Sequence, residues 1–356
     1  MKSLLSIRHP QKDLFTCDMF ITFKDDNASM EHPIFSLSTK SDKRPRKYER
    51  NGNTIEIMPS GLGLATIHDK DILLYLASQF MEELNLRTKQ SIRDGHKSIE
   101  VPPKTLRFIA HNYFILTNRA TSKLSYQRLE AGLDRLSGTR IKTNIATNGV
   151  RKIENFGIID SYAIIREDQN NPNSRMTGIE VKLSDWFYNS LIGYEVLTIS
   201  NDYFRLRKPL ERRIYELCRK HCGTNKQKIS FKLETLKEKT GSGAKLKEFR
   251  RMMKEIIKSD NLPDYKIEFD PDKKDLFIIR PRKKTEEVLE QNFTLMGAPT
   301  LKPQTHANAS KILQGSGFDK YAVFNDWWQW SKNREQPKSL DAAYIGFCKM
   351  KIAHLR

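Results

Sequence analysis

Apolar residues in the first half of the chain recur at helical spacing in three successive segments, and short β-type runs follow them. In the third segment, Tyr126, Leu129, Leu133 and Leu136 form a buried stripe, and Gly138 is suited to end the helix. The helices are predicted at 69–86, 102–116 and 122–137, and the strands at 150–153 and 158–166. Three helices followed by a β-hairpin are the element order of a winged helix.

The second half of the chain repeats this order. An Asn-rich loop (168–174) and a strand near 178–183 are expected to lead into the repeat. Pro209 is suited to the first turn of a helix, and Gly241 and Gly243 follow a second helix. The predicted helices begin at 209, 231 and 245, and the predicted strands are 265–269 and 276–280.

The regions that flank the two repeats have other patterns. The first 60 residues contain short β-type runs, and Asn51-Gly52 is a strong signal for a hairpin turn. Beyond Lys284 the chain is polar and contains several Pro and Gly residues, which is typical of a linker. We therefore predict an α+β protein with two tandem winged-helix domains and a small helical C-terminal segment. The predicted parts are 1–190 (first winged helix with N-terminal strands), 191–284 (second winged helix), 285–317 (linker) and 318–356 (aromatic-rich helices).

Positive charge is concentrated in the second repeat. The chain has 62 Lys and Arg against 43 Asp and Glu, a net charge of +19. From Arg205 to Lys284 there are 25 Lys and Arg against 12 Asp and Glu, about two-thirds of the excess. This excess predicts a polyanionic partner, and double-stranded DNA fits helix-turn-helix units. A second basic run, Lys40 to Arg50, is either a solubilising loop or a phosphate contact.

The segment 245–258, KLKEFRRMMKEIIK, is the candidate recognition helix of the second repeat. It places apolar residues on one face and cations on the other. In the major groove an arginine can donate two hydrogen bonds to guanine, whereas lysines more often hold phosphates. A solvated cationic face is the alternative, and the position of the helix favours DNA contact. The expected contacts are Lys245, Lys247, Arg250, Arg251, Lys254 and Lys258 on the helix, with Lys273, Lys274, Arg280 and Arg282 on the wing.

The corresponding surface of the first repeat is less charged and partly hydroxylated. Gly132 lies in the middle of the third helix, where glycine costs about 1 kcal/mol relative to alanine, so close packing is expected there. The expected DNA contacts are Ser122, Lys123, Ser125, Arg128 and Arg135 on the helix, with Arg140, Lys142 and Arg151 after it.

No residue pattern indicates catalysis. The stretch Gly241-Ser-Gly243-Ala-Lys245 lacks the glycine spacing and the hydroxyl residue of a phosphate loop. The eight histidines form no His-x-His pair, and the four cysteines match neither a disulfide framework nor a zinc module. No segment approaches 18 consecutive apolar residues. We therefore expect a non-enzymatic cytoplasmic protein with no cofactor, no metal and no membrane partner.

The last 39 residues carry an aromatic stripe at helical spacing. It is typical of a small packed helical hairpin, of a helix that docks on a partner, or of a stacking platform for single-stranded DNA. Because a helix that packs on the core needs no long polar tether, we favour partner binding. The residues assigned to it are Phe318, Tyr321, Phe324 and Trp328.

Two runs, YQRLEAGLDRLSGTRIKTNI (126–145) and LERRIYELCRKHCG (210–223), resemble the plasmid replication initiator protein A (RepA) family. The resemblance covers roughly residues 12–284. It implies tandem winged-helix domains that bind repeated origin sequences, or iterons. It also implies that the protein opens the origin without an ATP site of its own and recruits the host initiator and the replicative helicase.

The expected function is therefore sequence-specific initiation of plasmid replication on double-stranded DNA. The main alternative is a tandem winged-helix transcriptional repressor, which includes repression of its own promoter. A structural protein whose winged helices bind protein is a second alternative, and the concentrated positive charge disfavours it. The DNA sequence and the oligomeric state, including a monomer–dimer equilibrium, are left open.

Overall fold

The structure, a computed structural model, has two hydrophobic cores that belong to separate units, residues 1–282 and 283–356. It describes residues 22–50, 52–94, 100–146, 153–168, 170–171, 174, 176–222, 228–273, 275–282, 301, 303–313, 320–331, 337 and 339–353. Within these ranges, no helix combines the length and the apolar character needed to cross a membrane.

Helices and short antiparallel strands alternate through the first unit, and the predicted α+β class is confirmed. Its helices are α1 (Asn27–Glu31), α2 (Lys70–Arg93), α3 (Ala110–Leu116), α4 (Lys123–Gly138), α5 (Asp185–Ile192), α6 (Pro209–Cys222), α7 (Leu233–Thr240) and α8 (Leu246–Ser259). Its strands are β1 (Phe23–Asp26), β2 (Arg46–Arg50), β3 (Asn53–Met58), β4 (Thr105–Phe108), β5 (Arg140–Thr143), β6 (Glu154–Gly157), β7 (Ile159–Arg166), β8 (Met176–Leu183), β9 (Val196–Ile199), β10 (Ile229–Lys232), β11 (Tyr265–Phe269) and β12 (Leu276–Pro281).

Two stretches of this unit share one topology. The first runs α2–β4–α3–α4–β7–β8, and its sheet has the strand order β4–β8–β7. The second runs α6–β10–α7–α8–β11–β12, and its sheet has the corresponding order β10–β12–β11. The internal repeat predicted from the sequence is therefore present as a repeat of sheet topology. Both copies contribute to a single continuous core, and the predicted boundary at 190/191 stays a prediction.

The hairpin of the first copy differs from the one predicted. Strands β7 and β8 form it, so the run near 178–183 completes the first copy instead of opening the second. Strands β5 and β6 are an insertion that joins β2 and β3 in a four-stranded sheet with the order β2–β3–β5–β6. The alternation of apolar residues marks each strand, but it does not specify the partner with which the strand pairs.

Several predicted boundaries need correction. Residues 105–108 form β4, since Leu106 and Phe108 alternate with exposed residues, and the helix predicted from 102 begins at Ala110. Phe231 belongs to β10, so the helix predicted from 231 begins at Leu233. Half of the basic run 40–50 is strand β2, because it pairs with β3 across the Gly52 turn. The run 34–37 is not a strand, and only one bridge of Ser36 is formed there. The predicted strand 150–153 lies almost wholly outside the described residues.

Helix α6 lies at the centre of the unit, and every residue from Glu211 to Cys218 is buried. Its charged side chains are therefore paired internally. Arg212 donates to Asp71, which also accepts from Arg119 at 2.7 Å. Arg213 donates to Glu216 at 3.0 Å and to backbone carbonyl groups of α1 and α7.

A second buried ionic cluster joins the N-terminal strand to the two long helices α2 and α6. The ammonium of Lys70 lies 2.8 Å from Asp25 and 3.1 Å from Glu216, and all three side chains are fully buried. Burial raises the pKa of Asp25 to about 8. These charges hold β1, α2 and α6 together where apolar contacts alone would not fix the register.

The close packing expected at Gly132 is confirmed. A Cβ atom there would lie 3.0 Å from Oδ1 of Asp69 and 3.3 Å from Ile72, at the start of α2. The missing side chain lets α4 approach α2.

The second unit contains three helices, α9 (Pro303–Leu313), α10 (Lys320–Ser331) and α11 (Leu340–Ala353). Helix α9 lies inside the segment predicted as a linker. Pro303, interpreted as a linker residue, stands instead at a first helical turn, where its fixed φ is suited to a helix. The core of this unit includes Phe324, Trp327 and Tyr344, whose ring centroids lie 5.3 to 5.6 Å apart.

Candidate nucleic-acid interface

The segment α7–turn–α8 followed by the hairpin β11–β12 carries most of the candidate contacts. Phe249, Met253 and Ile256 bury one face of α8 in the core. The turn before α8 contains Gly241, which adopts φ +67° and ends α7. A Cβ atom on Gly241 would lie 2.7 Å from Pro33, so the N-terminal segment packs directly against this turn.

The opposite face of α8 presents a row of exposed cations. Six of the candidate residues are exposed and form no ion pair with a residue that the structure describes, although the carboxylate of Glu268 feels the charge of Arg280. Their ammonium or guanidinium groups are therefore available to an anion. Three lie on α8, one at its N-cap, one in the wing loop and one on β12. They are Lys245, Lys247, Lys254, Lys258, Lys273 and Arg280.

Arg250 is held differently. Its Nε and Nη2 atoms each donate to Asp275 at 2.7 Å, in a two-pronged pair that joins α8 to the wing. The carboxylate raises the pKa of Arg250 through these hydrogen bonds. Because the pair fixes the guanidinium plane, Arg250 is oriented while its third nitrogen remains outside the pair.

Two further candidate arginines of this repeat are also paired. Arg251 donates to Glu248 at 2.6 Å and to Glu255, which lie one turn before and after it on α8. Arg282 donates to Asp260 at 2.6 Å at the end of β12. All these pairs are solvent-accessible, so the guanidinium groups can exchange a carboxylate for a phosphate at little cost.

On α4 of the first repeat, Ser122, Lys123 and Arg128 are exposed and Ser125 is half-buried. Arg135 donates twice to Asp69, at 2.7 Å from Nε and from Nη2, and is largely covered. Arg135 is therefore part of the α4–α2 packing, and its assignment to DNA contact needs correction. The local sequence pattern does not distinguish Arg135 from Arg128, because Asp69 lies 66 residues away in the chain.

Arg140 and Lys142 lie on the inserted four-stranded sheet and not on the hairpin of the first repeat. Lys142 is exposed and stands opposite Glu56 on β3, and Arg140 donates to the Asn155 carbonyl at 2.8 Å. Both are on the surface, and their assignment to phosphate contact stays a prediction. Arg151 and Lys274 lie outside the described residues.

The aromatic residues assigned to partner binding are distributed between core and surface. Phe324 is 7% exposed and packs against Trp327 and Tyr344, so it belongs to the core of the second unit. The assignment of Phe324 to partner binding is therefore corrected. Helices α9 and α11 contribute apolar residues that bury its ring, which a pair of helices would leave exposed. Trp328 is half-buried, whereas Trp330, which was not assigned, is 41% exposed. Phe318 and the side chain of Tyr321 lie outside the described residues.

Sequence reasoning missed the acidic residues that position the arginines. Asp275 binds the guanidinium of Arg250, which is 25 residues away in the chain. Asp69 binds that of Arg135, which is 66 residues away. No local pattern reveals such pairs, and an acid beside a basic run is ordinarily interpreted as surface charge. Among the described residues, no group of three or more metal-ligating side chains is found.

Comparison with known proteins gives a family and a relative. The family model described as Replication initiator protein A matches residues 24–267. A protein of Wigglesworthia glossinidia brevipalpis, named "Putative replication protein", is 40% identical over 263 residues, which cover 72% of this chain and 90% of the relative.

Solved structures show more distant similarities. Domains 2 and 3 of RctB match with a TM-score of 0.47 and 12% identity, over 71% of this chain and 96% of the other. The Pi initiator protein, solved in complex with iteron DNA, matches with a TM-score of 0.36 and 17% identity, over 50% of this chain and 82% of the other. Both TM-scores are too low to assign a function. The family match covers the first topological repeat and the second as far as the start of β11, and it includes both sequence runs that carry the resemblance. The chain belongs to the replication initiator protein A family.

Proposed function

We propose that the protein is a sequence-specific double-stranded-DNA-binding initiator of plasmid replication. It binds repeated origin sequences, promotes origin opening and recruits host replication proteins. It acts without enzymatic activity and without a cofactor of its own for the opening step.

The observation that carries this proposal is the row of exposed cations on α8 and the wing. Helix α8 is third in a copy whose order and sheet, β10–β12–β11, are those of a winged helix. In such a unit the third helix enters the major groove and the hairpin reaches the backbone. Lys247, Lys254 and Lys258 stand on the exposed side of that helix, with Lys273 at the wing loop.

The second copy of the topology supports a tandem arrangement. Strands β4, β8 and β7 and helices α2, α3 and α4 reproduce the order of the other copy. Two binding units on one chain would engage one origin repeat together. Bending a 20–30 bp site costs on the order of 1–6 kcal/mol, which the contacts of two units can supply.

Binding to duplex repeats is expected to weaken steeply with salt. If roughly 8 phosphates are neutralised, the log–log slope of affinity against salt concentration is expected near −7. Fluorescence anisotropy with a duplex that carries the origin repeats, over a salt series, measures it. A slope shallower than about −2 would contradict the tandem-binding proposal. A plasmid with the repeats that replicates without this protein would favour a transcriptional repressor.

The two-pronged pair between Arg250 and Asp275 predicts that substitution of an arginine and of a lysine affect DNA binding differently. Arg250→Ala is expected to reduce discrimination at one or two base pairs by about 1–3 kcal/mol, because an oriented arginine reads guanine. Lys273→Ala is expected to weaken binding to all sequences alike, because a lysine in the wing loop contacts phosphate. Competition binding against repeats with single base changes measures both. Equal effects of the two variants on every duplex would rule out base reading by Arg250.

Because the second unit has its own core, we expect that it can be removed without unfolding the first unit. Truncation after Lys284 is expected to leave affinity for duplex repeats nearly unchanged, since the candidate DNA contacts lie in the first unit. Replication of a repeat-bearing plasmid is expected to fail, since we assign the second unit to a replication partner. Anisotropy and plasmid copy number measure the two effects. If the truncated protein unfolds or loses the repeats, the second unit is structural.

A further inference from the structure

A cavity of about 450 Å³ lies in the first unit, beside the candidate recognition helix. It is bounded by the segment that leads into β2, the start of α6, the Gly-rich turn after α7 and the buried side of α8. Its volume is in the range of small-molecule sites, about 300–1,000 Å³. The apolar residues that line it are Leu37, Pro209, Leu210, Ala244, Met252 and Ile256.

Two polar groups on residues that line this cavity are buried without a hydrogen-bond partner among the described residues. One is Oε1 of Glu211, a residue that is 4% exposed and whose nearest cation, the ammonium of Lys208, is 3.5 Å away. The other is Nη1 of Arg46, whose Nη2 donates to Asp42 at 2.7 Å. Buried polar groups are ordinarily paired, so an acceptor and a donor at one cavity indicate a ligand whose edge offers both.

The mouth of the cavity carries two exposed cations, each paired with a carboxylate of the lining: Arg44 with Asp42 at 3.0 Å and Lys208 with Glu211 at 3.5 Å. A phosphate would have to compete with these carboxylates, which the exposure of both cations allows at little cost. The side chains of Arg44 and Lys208 are 77% and 58% exposed. Both terminal nitrogens of Arg44 lie 3.9 Å from the position that a Cβ atom would take on Gly243. Helix α8 begins directly after this turn, and Lys245 at its N-cap makes no side-chain hydrogen bond to it. A guanidinium beside an uncapped helix N-terminus favours a phosphate group.

We propose that this cavity binds a purine nucleotide. The base would lie on the apolar walls with its hydrogen-bonding edge toward Glu211 and Arg46. The phosphates would lie at the mouth, near Arg44 and Lys208. Purine edges present a donor beside an acceptor, and a two-ring base covers more of the apolar wall than a pyrimidine.

The proposal concerns binding and not hydrolysis. The turn 241–245 lacks the lysine and hydroxyl spacing of a phosphate loop. Met252 and Ile256 of α8 form part of the wall, so a bound nucleotide is expected to change the position or rigidity of the helix. That coupling to DNA rests on the proposed function, whereas the nucleotide site itself does not, and binding is therefore measured without DNA.

Isothermal titration calorimetry of the full chain with ATP, GTP, CTP and inorganic triphosphate tests the proposal. ATP or GTP is expected to bind, with CTP and inorganic triphosphate at least about tenfold weaker. Glu211→Gln is expected to weaken purine binding by about tenfold or more, and Lys208→Ala, at an exposed position, by several-fold. Ala244→Leu is expected to abolish binding by filling the cavity. Glu82→Gln, an exposed carboxylate on α2, is the matched control and is expected to change nothing.

Three results would overturn the proposal. One is the absence of purine binding up to about 1 mM. Another is equal affinity for inorganic triphosphate and for the purine nucleotides, which would reduce the site to an anion site at a helix end. The third is unchanged binding in both Glu211→Gln and Lys208→Ala, whose unfolding temperatures without ligand show whether they are folded. If Arg44→Ala weakens duplex binding but not nucleotide binding, the cationic mouth belongs to the DNA surface and the assigned phosphate position fails.

Discussion

Replacing Lys70 by methionine is expected to lower the free energy of unfolding of the first unit by about 3–5 kcal/mol. Among the described residues, Lys70 is the ion-pair partner of Asp25, and both are fully buried. The substitution leaves the carboxyl of Asp25 in the core with only a distant hydroxyl, Ser29 Oγ at 3.4 Å. Urea denaturation of the full chain, followed by far-UV circular dichroism, measures the loss.

The same substitution has an expected pH dependence. Burial already raises the pKa of Asp25 to about 8, and without the ammonium the pKa rises further. The folded variant therefore retains a proton that the unfolded chain releases near its ordinary pKa of 3.8. A raised folded pKa gives stability that is present at low pH and is lost as the pH rises. The unsubstituted protein stops losing it above about pH 8, where its Asp25 is ionised, whereas the variant does not, so the deficit is expected to be larger at about pH 9 than at about pH 6.

Two comparisons make the result specific. Asp25→Asn added to Lys70→Met is expected to recover part of the loss, because an amide is buried without the proton uptake that the carboxyl requires above its ordinary pKa of 3.8. Lys182→Met, an exposed lysine on β8, is expected to change the free energy of unfolding by about 0.5 kcal/mol or less. A loss below about 1 kcal/mol for Lys70→Met would mean that these charges are not buried together in solution.

The second large effect is expected from the triple variant Lys247→Gln, Lys254→Gln and Lys258→Gln. Each lysine is exposed on α8, and each would release one counterion from a phosphate. Loss of all three is expected to reduce duplex affinity about a hundredfold at physiological salt and to reduce the steepness of the salt slope by about 3. Because these side chains do not enter the core, the unfolding midpoint is expected to be unchanged.

A control of equal charge is available elsewhere on the chain. Lys89→Gln, Lys104→Gln and Lys349→Gln remove the same formal charge from positions outside the proposed DNA contacts. This variant is expected to lose less than about tenfold in affinity, through net charge alone. If the two triple variants weaken binding equally, attraction is general and α8 is not the recognition helix.

Periodicity predicted helix α4 well, ended the longest helix, α2, seven residues early at 86 instead of Arg93, and missed the short strands. Helix α4 was predicted within one residue at each end, since Leu129, Leu133 and Leu136 mark its buried face. Strands β4 and β10 have four residues each, too few to show a period of two beside a helix signal. Their absence from the prediction hid the sheet order that makes the repeat recognisable.

Charge was the least predictable feature. Arg212, Arg213 and Glu216 stand in a basic run that sequence reasoning interprets as surface, yet all three are buried in α6. Their partners lie in segments as distant as α1 and α2, and only the folded chain brings them together. The exposed cations of α8 follow from the helical periodicity of that segment alone. The pairing of Arg135 with Asp69 depends on contacts between distant segments and was not predictable.

Strand β1 pairs with β9, so Phe23 stands opposite Ile199, and the Phe23 ring lies 4.4 Å from that of Phe204. Phe23 thus acquires these partners only after about 180 further residues have been added. During synthesis the N-terminal segment leaves the ribosome long before β9, at about 5–20 residues per second. Until then the backbone edge of β1 has no strand partner, which is the condition that favours aggregation or chaperone capture. Slowing translation between β1 and β9 is therefore expected to lower the yield of folded protein more than slowing it after α8.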